Sequence, residues 1–139
     1  MAAGNADIVA GLAKIKSNVD SGIFTPIQIA AMEALRNSKD IKREFNQEYT
    51  LRRSALIDGL NEVGWQVAKP LATFYVWAPV FGGYDSASLA KALLEKTDII
   101  VTPGIGFGKS GEGYVRMALT VGVDKLKEVV SRIKTEFFS

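Results

Sequence analysis

A glycine-rich stretch that runs directly into an apolar segment limits the folds open to this chain. It follows Pro103 and ends at the segment Tyr114 to Leu119, whose residues favour a β-strand. Glycine at this density indicates a backbone that turns tightly or lets something approach closely. We therefore expect a functional site here. The glycines are Gly104, Gly106, Gly108, Gly111 and Gly113.

Two glycine motifs that bind phosphate groups do not fit this stretch. Gly106, Gly108 and Gly111 have the spacing G-x-G-x-x-G, but the dinucleotide-binding form of that motif opens a helix. The residues after Gly113 favour a strand instead. The Gly-Lys-Ser triplet at 108–110 lacks the earlier glycine of a P-loop, because position 103 is proline. The sequence therefore argues against either kind of nucleotide loop.

Arg116 is the lone cation of the apolar segment. Its planar guanidinium is suited to binding a carboxylate through two parallel hydrogen bonds. An arginine on the solvated face of a half-buried strand is the alternative that the residues alone leave open. Strand alternation predicts one face made of Val115, Met117 and Leu119 and a second made of Tyr114, Arg116 and Ala118.

Several separated motifs resemble the C-terminal part of the class I/II aminotransferases, which depend on pyridoxal phosphate. With Lys16-Ser17-Asn18 and Asp20-Ser21-Gly22 upstream, the chain is most similar to the branch of LL-diaminopimelate and related aspartate or alanine aminotransferases. The similarity covers essentially the whole chain. The motifs that carry it are Phe74-Tyr75-Val76-Trp77, Ile100-Val101-Thr102-Pro103-Gly104 and Gly111-Glu112-Gly113-Tyr114-Val115-Arg116.

The resemblance implies an enzyme, expected to be a homodimer, that exchanges an amino group between an amino acid and a 2-oxo acid. Arg116 would bind the substrate α-carboxylate. Residues matching Ser17 and Asn18 approach the cofactor site of the neighbouring subunit in similar enzymes. Ala13 stands where some similar aspartate aminotransferases carry an arginine for a second carboxylate, which argues against recognition of a distal carboxylate. The residues expected to shape the pocket are Tyr75, Phe107 and Tyr114.

The same resemblance implies a C-terminal fragment of a longer enzyme. None of Lys14, Lys16, Lys69 and Lys109 lies in the family's Schiff-base motif, so the chain alone would be inactive. Residues 1–37 would be a remnant of the large cofactor-binding domain, and residues 38–139 the long linking helix plus the C-terminal small domain. The alternative is a stand-alone, non-catalytic α/β module that binds a small carboxylate or a protein partner.

Composition excludes several other classes of function. The 139 residues, 47% of them apolar, are enough for a domain with a real core, and a net charge of +2 gives no electrostatic case for nucleic acid. The absence of Cys and His excludes the usual zinc sites and Ser-His or Cys-His catalysis. With no apolar run of membrane-spanning length and no signal-peptide pattern, we expect a cytoplasmic protein without a membrane partner.

The hydrophobic periodicity predicts an α/β fold, with helices covering a small mixed or antiparallel sheet. The long helix would extend about 40 Å and bridge two bodies. Polar residues 17–22 are expected to cap the helix that follows them. Predicted helices are Asp7 to Lys16, Thr25 (as N-cap) to Asn37, Lys39 (capped by Ser38) to about Val63, one from Asp85 or Ser86 to about Lys96, and Val123 to Phe137. Predicted strands are Trp65 to Val67, Ala72 to Ala78, Ile99 to Val101 and Tyr114 to Leu119.

Overall fold

A computed structural model describes residues 2–138, which form five α-helices and a three-stranded sheet. The chain divides into two compact units, one up to Lys42 and one from Arg43 onward. Within residues 2–138, no helix is both long enough and apolar enough to cross a bilayer. In chain order the helices are α1 (Ala6–Lys16), α2 (Thr25–Arg36), α3 (Ser38–Glu62), α4 (Ser86–Thr97) and α5 (Val123–Phe137), and the strands are β1 (Tyr75–Pro79), β2 (Thr102–Pro103) and β3 (Tyr114–Ala118).

The first unit contains α1, α2 and the start of α3. The predicted α1 is confirmed, and Asn5 caps it by accepting hydrogen bonds from the backbone N–H groups of Asp7 and Ile8. Thr25 is not the N-cap of α2. That position is held by Phe24, because Thr25 already lies in the helix and the missing N–H of Pro26 costs no bond in a first turn.

The boundary between α2 and α3 also differs from the prediction in one detail. Asn37 ends α2, as expected, and its side-chain amide donates to the carbonyl of Glu33. Ser38 is already the first residue of α3 and therefore does not cap it. The carbonyl of Asn37 accepts a hydrogen bond from Ile41 N–H, so Asn37 serves both helix ends.

The long helix α3 is confirmed as one continuous element. In the second unit it buries Leu56, Ile57 and Leu60, whereas Phe45, nearer its start, is exposed. The hydrophobic periodicity predicts one apolar stripe on this helix, and two of the buried residues, Leu56 and Leu60, belong to it. The stripe consists of Ile41, Phe45, Tyr49, Leu56, Leu60 and Val63. Ile57 does not belong to it, because a packed helix face is wider than a single line of positions spaced by three and four residues.

The sheet of the second unit is antiparallel, in the order β1-β3-β2. This confirms the predicted α/β class. Strand β3 lies in the centre of the sheet, so both of its edges are paired. One sheet face is buried, with the side chains of Val76, Ala78, Val115 and Met117 in the hydrophobic core.

The predicted strands at residues 65–67 and 99–101 are wrong. Trp65 and Val67 lie in the core without sheet pairing, and the indole N–H of Trp65 donates to the Pro79 carbonyl at 2.8 Å. Residues 99–101 form no strand, because the chain leaves α4 through a left-handed Asp98 and Ile99 N–H still bonds to the carbonyl of Leu93. Sheet pairing on that side begins only at β2.

The remaining helices and strands are present where the sequence predicts them, with one difference in where a strand begins. Strand β1 starts at Tyr75 instead of Ala72, because Thr73 has a φ of 68°, which is incompatible with an extended strand. Helix α4 is capped by Asp85, whose carboxylate accepts from Ser88 N–H at 2.7 Å. Helix α5 has the predicted bounds.

Candidate functional site

The glycine loop connects β2 to β3 through two short 3-10 turns, Gly104–Phe107 and Lys109–Gly111. A Cβ atom on Gly104 would lie 1.9 Å from the carbonyl oxygen of Gly111, and one on Gly111 would lie 2.1 Å from the carbonyl oxygen of Gly104. No side chain fits between them. The close approach that the glycines indicated is therefore between the two arms of the loop itself.

Arg116 lies in the middle of β3, with Trp77 of β1 and Thr102 of β2 as its neighbours across the sheet. The predicted alternation is confirmed: Val115 and Met117 are buried, whereas Arg116 is half-buried on the opposite face. A central strand holds its backbone in place on both edges, so the Arg116 side chain projects from a rigid support.

Two aromatic rings contact the Arg116 guanidinium. Its central carbon lies 4.2 Å from the centroid of the Tyr75 ring and 4.4 Å from that of the Phe107 ring. These are cation–π distances. Among residues 2–138 the guanidinium forms no hydrogen bond and no ion pair. Its N–H groups are therefore available to an anionic ligand, while the rings restrict where the group can point.

Trp77 belongs to the same face, and the sequence did not single it out as a site residue. Its ring makes edge contacts with Phe107 at 5.4 Å and with Tyr114 at 6.2 Å between centroids. Tyr114 thus joins the cluster through Trp77 and makes no cation–π contact with Arg116 in the part of the chain described. The signal was the strand alternation, which puts Trp77 on the face of Tyr75. An open pocket beside the cluster is lined by Trp77, Phe107, Ser110, Gly111 and Tyr114.

Glu112 is the second residue of this region without a predicted role. Its carboxylate accepts hydrogen bonds from the backbone N–H groups of Gly113, at 2.9 Å, and Ser86, at 2.8 Å. These hydrogen bonds lower the pKa of the Glu112 carboxyl. The bond from Gly113 N–H has the largest effect, followed by those from Ser86 N–H and the Ser86 hydroxyl. Glu112 is therefore ionised near neutral pH and tied to the start of α4.

Ser17 and Asn18 lie at the end of α1, in the first unit. The Ser17 hydroxyl and the Asn18 amide both donate to the carbonyl of Lys14, at 2.9 and 2.8 Å. Asp20 forms an ion pair with Lys16, the main reason why the pKa of the Asp20 carboxyl is lowered. The loop thus caps the helix before it, and the expectation that it caps the following helix is wrong.

The Ser17 hydroxyl and one N–H of the Asn18 amide are thus bonded within the chain. Their place beside a cofactor stays a prediction. The structure brings Arg116, Tyr75 and Phe107 into direct contact and adds Tyr114 through Trp77. Residues 2–138 contain no group of three or more Asp or Glu side chains placed to hold a metal ion.

Comparison with known proteins gives one family for nearly the whole chain. Residues 1–133 match the family described as aminotransferase class I and II. The LL-diaminopimelate aminotransferase of Natranaerobius thermophilus is 52% identical over 136 residues, covering 98% of this chain and 35% of that protein. The enzyme of the same name from Moorella thermoacetica is 47% identical over 133 residues, covering 96% of this chain and 34% of that protein.

A solved structure with the same fold is substrate-bound BacF from Bacillus subtilis. It superposes with a TM-score of 0.89 at 31% sequence identity, covering 95% of this chain and 34% of that one. The chain therefore spans about a third of the length of the relatives it matches. The match nevertheless extends over all the motifs around Arg116. The chain belongs to the class I and II aminotransferase family.

Proposed function

We propose that this chain carries the carboxylate-binding part of an aminotransferase, and that Arg116 binds the α-carboxylate of the amino-acid and 2-oxo-acid substrates. The observation that supports this role is the half-buried guanidinium with aromatic contacts and, among residues 2–138, no acidic partner. A structural arginine normally satisfies its donors with protein acceptors, as Arg132 does here with Glu128 and the Thr97 carbonyl.

The rings of Tyr75 and Phe107 favour a specific binding geometry. Cation–π contacts occupy the π-faces of the rings and hold the guanidinium plane, so less rotamer freedom is lost when a ligand binds. A carboxylate then pairs with the guanidinium edge through two parallel hydrogen bonds. Trp77 and Tyr114 extend the apolar wall beside that edge and limit the contact of the ligand with water.

The proposed amino donor is LL-diaminopimelate, after the name that two of the most similar relatives carry. This molecule has an amino-acid group at each end, so its far end presents an ammonium as well as a carboxylate. Because Ala13 stands where some similar aspartate aminotransferases place an arginine for a second carboxylate, the far carboxylate of this donor would need a partner other than residue 13. The acceptor is a 2-oxo acid.

Family membership implies pyridoxal phosphate as the cofactor of the whole protein, where it would supply the electron sink for amino-group transfer. The residues described here do not hold it by themselves. The Ser17 hydroxyl and one N–H of the Asn18 amide bond to the Lys14 carbonyl. None of Lys14, Lys16, Lys69 and Lys109 lies in the family's Schiff-base motif. The proposed contribution of this cluster is therefore to bind and orient the carboxylate.

An activity assay on two forms of the protein tests this proposal. The isolated chain, mixed with pyridoxal phosphate, LL-diaminopimelate and 2-oxoglutarate, is expected to show no transamination, because a carboxylate site without the electron sink orients the substrate but performs no chemistry. The full-length protein that contains the chain is expected to be active. Turnover by the isolated chain would contradict the fragment interpretation, and an inactive full-length protein would favour the non-catalytic module.

A further inference from the structure

One buried hydroxyl connects both ends of the glycine loop. Ser86, the first residue of α4, is fully buried. Its hydroxyl donates to the Glu112 carboxylate at 2.8 Å, at the end of the loop, and accepts from Ile105 N–H at 3.3 Å, near the beginning of the loop. The start of α4 therefore fixes both arms of the loop through a single side chain.

The Glu112 carboxylate completes this connection. Its other oxygen accepts from Ser86 N–H and Gly113 N–H. Ser86 N–H belongs to the first turn of α4, where backbone donors lack an intrahelical partner, and the positive end of the helix dipole favours a carboxylate there. Charge and hydrogen bonding thus both hold Glu112 in place.

Phe107 lies on the loop between these anchored residues. Its side chain is 48% exposed, so burial does little to fix the ring. The loop backbone around it is held by bonds from Gly108 N–H to the Ile105 carbonyl and from Gly111 N–H to the Gly108 carbonyl. The contact of Phe107 with Arg116 therefore depends on a loop whose two ends are tied to Ser86.

We propose that Glu112 and Ser86 are positioning residues of the Arg116 site. They hold the glycine loop so that Phe107 contacts the guanidinium, and through that contact they set the direction in which its N–H groups face a carboxylate. Neither residue bonds to Arg116 among residues 2–138, so their effect is indirect. The inference rests on the proposed function of Arg116 and extends it to two residues outside the aromatic cluster.

The charges around Glu112 predict how this arrangement responds to pH. Asp85, at the N-cap of α4, opposes ionisation of Glu112, whereas the donors of Gly113 and Ser86 favour it more strongly and lower its pKa. Lys109 and Arg116, the charged residues of the adjoining loop and strand, form no ion pair with Glu112 in the described part of the chain. Protonation of Glu112 at acidic pH should therefore weaken its hydrogen bonds with Ser86 and Gly113 and make the glycine loop more mobile.

The test is an NMR measurement on the 139-residue chain. The side-chain protons of Arg116 report the ring currents of Tyr75 and Phe107. In the unmodified chain we expect the ring-current contribution to the chemical shifts of the Arg116 protons to be constant near neutral pH. It should become smaller as Glu112 is protonated. In Glu112→Gln this contribution should be reduced already at neutral pH and should no longer change where Glu112 titrates.

Two variants and a fold control make the result decisive. Ser86→Ala removes only the bridging hydroxyl and should reduce the same shifts, whereas Glu128→Gln removes a carboxylate of lowered pKa on α5 and should leave them unchanged. Methyl signals of the core residues Leu60 and Ile133 show that each variant is folded. Unchanged Arg116 shifts in folded Glu112→Gln and folded Ser86→Ala would overturn the proposal, and so would loss of the core signals in both of these variants.

Kinetics of the full-length protein separate this inference from the function it rests on. If both are correct, Glu112→Gln raises KM for the amino acid more than it lowers kcat, because a misdirected guanidinium weakens carboxylate binding. If the NMR shifts respond but Arg116→Leu leaves KM and kcat unchanged, the positioning role holds and the proposed function fails. Unchanged NMR shifts overturn the positioning role, whatever Arg116→Leu does.

Discussion

At the scale of single residues, the site depends on a cation held by rings from separate elements. Tyr75 comes from β1 and Phe107 from the glycine loop, and both lie within 4.4 Å of the Arg116 guanidinium carbon. A cation in this position keeps its charge and its donors while losing freedom to rotate. The contact with Phe107 is the more vulnerable one, because that ring is half-exposed and lies on a loop.

Phe107→Leu tests the energetic value of this contact. Removing one ring from the guanidinium should lower the free energy of unfolding by about 0.5–1 kcal/mol, the usual contribution of a cation–π pair near the surface. Urea denaturation, followed by far-UV circular dichroism, measures the change. Phe45→Leu, at an exposed position of α3 without a cation contact among residues 2–138, is the matched control. Equal effects of the two substitutions would contradict the account.

At the scale of elements, the glycine loop is defined by the contact between its own arms. Gly104 and Gly111 approach each other so closely that neither accommodates a Cβ atom, whereas a Cβ on Gly106 would have nothing within 4 Å. The loop glycines therefore differ in function even though the sequence presents them as one run. This difference leads to a test with an internal control.

Gly104→Ala should destabilise the second unit by about 1–3 kcal/mol or more, as expected for overpacking at a site that cannot relax. Gly106→Ala should change the free energy of unfolding by no more than about 0.5 kcal/mol. Chemical denaturation of both variants measures the difference. If both substitutions had the same small effect, the close packing of the loop arms would not exist in solution.

The acidic residues at the start of α4 and on α5 predict a dependence of stability on pH. The pKa of the Glu112 carboxyl is lowered by Gly113 and Ser86, that of Asp85 by Ser88, and that of Glu128 by Lys125. Because folding lowers these pKa values, the stabilisation is complete above the ordinary values of 4.5 for Glu and 3.8 for Asp. It is lost as the pH falls through the lower native values.

We therefore expect the urea midpoint to stay constant from neutral pH down to about pH 5 and to fall steadily below that. Glu112→Gln should lower the midpoint at neutral pH and flatten the acidic decline, since it removes one of the carboxyl groups of lowered pKa. A midpoint that rises as the pH falls through this range would show that the carboxylates do not stabilise the fold in their ionised form.

The sequence predicts those elements that are determined by residues close together in the chain. The bounds of α5, the alternation of β3 and the Asp85 cap follow from periodicity and capping residues, which act within a few positions. The strands expected at residues 65–67 and 99–101 were wrong, because pairing is decided by a partner strand far along the chain. Trp65 is instead satisfied by the Pro79 carbonyl.

The candidate site, too, could be predicted from the sequence only in part. Arg116 and its strand face followed from the sequence, and the family resemblance pointed to Tyr75, Phe107 and Tyr114. Trp77 lay on the predicted face but was not selected, and Glu112 was read only as part of a motif. The bond between Glu112 and Ser86 joins residues 26 positions apart, so no local pattern indicates it.

At the scale of the whole molecule, the two compact units differ in how they bury apolar side chains. The second unit has a core formed by α3, the sheet, α4 and α5. In the first unit, α1 and α2 contain no buried residue, and Ile8, Ile15 and Phe24 are exposed by 61% or more. The chain matches about a third of the length of its relatives, and we propose that this apolar surface is covered in a longer protein.

We predict that the isolated chain associates with itself through this surface, and a symmetric dimer is the expected form. Light scattering over a dilution series should show a mass that rises with concentration. Replacing both Ile8 and Ile15 with Gln should shift the association to higher concentration. Ile100→Gln, at a position of the second unit that is 84% exposed, should not. A monomer at every concentration would contradict this prediction.

The measurement that bears most directly on the whole account is the steady-state kinetics of Arg116→Leu in the full-length protein, with LL-diaminopimelate and a 2-oxo acid. Removing one partner of a hydrogen-bonded charge pair should cost about 2–5 kcal/mol, so kcat/KM should fall by at least about 30-fold while the absorbance of the bound cofactor stays unchanged. Arg132→Leu, at an arginine already paired with Glu128, should keep kcat/KM near that of the unmodified protein. An unchanged kcat/KM in Arg116→Leu would contradict the account, because Arg116 would then be a surface arginine without a role in substrate binding.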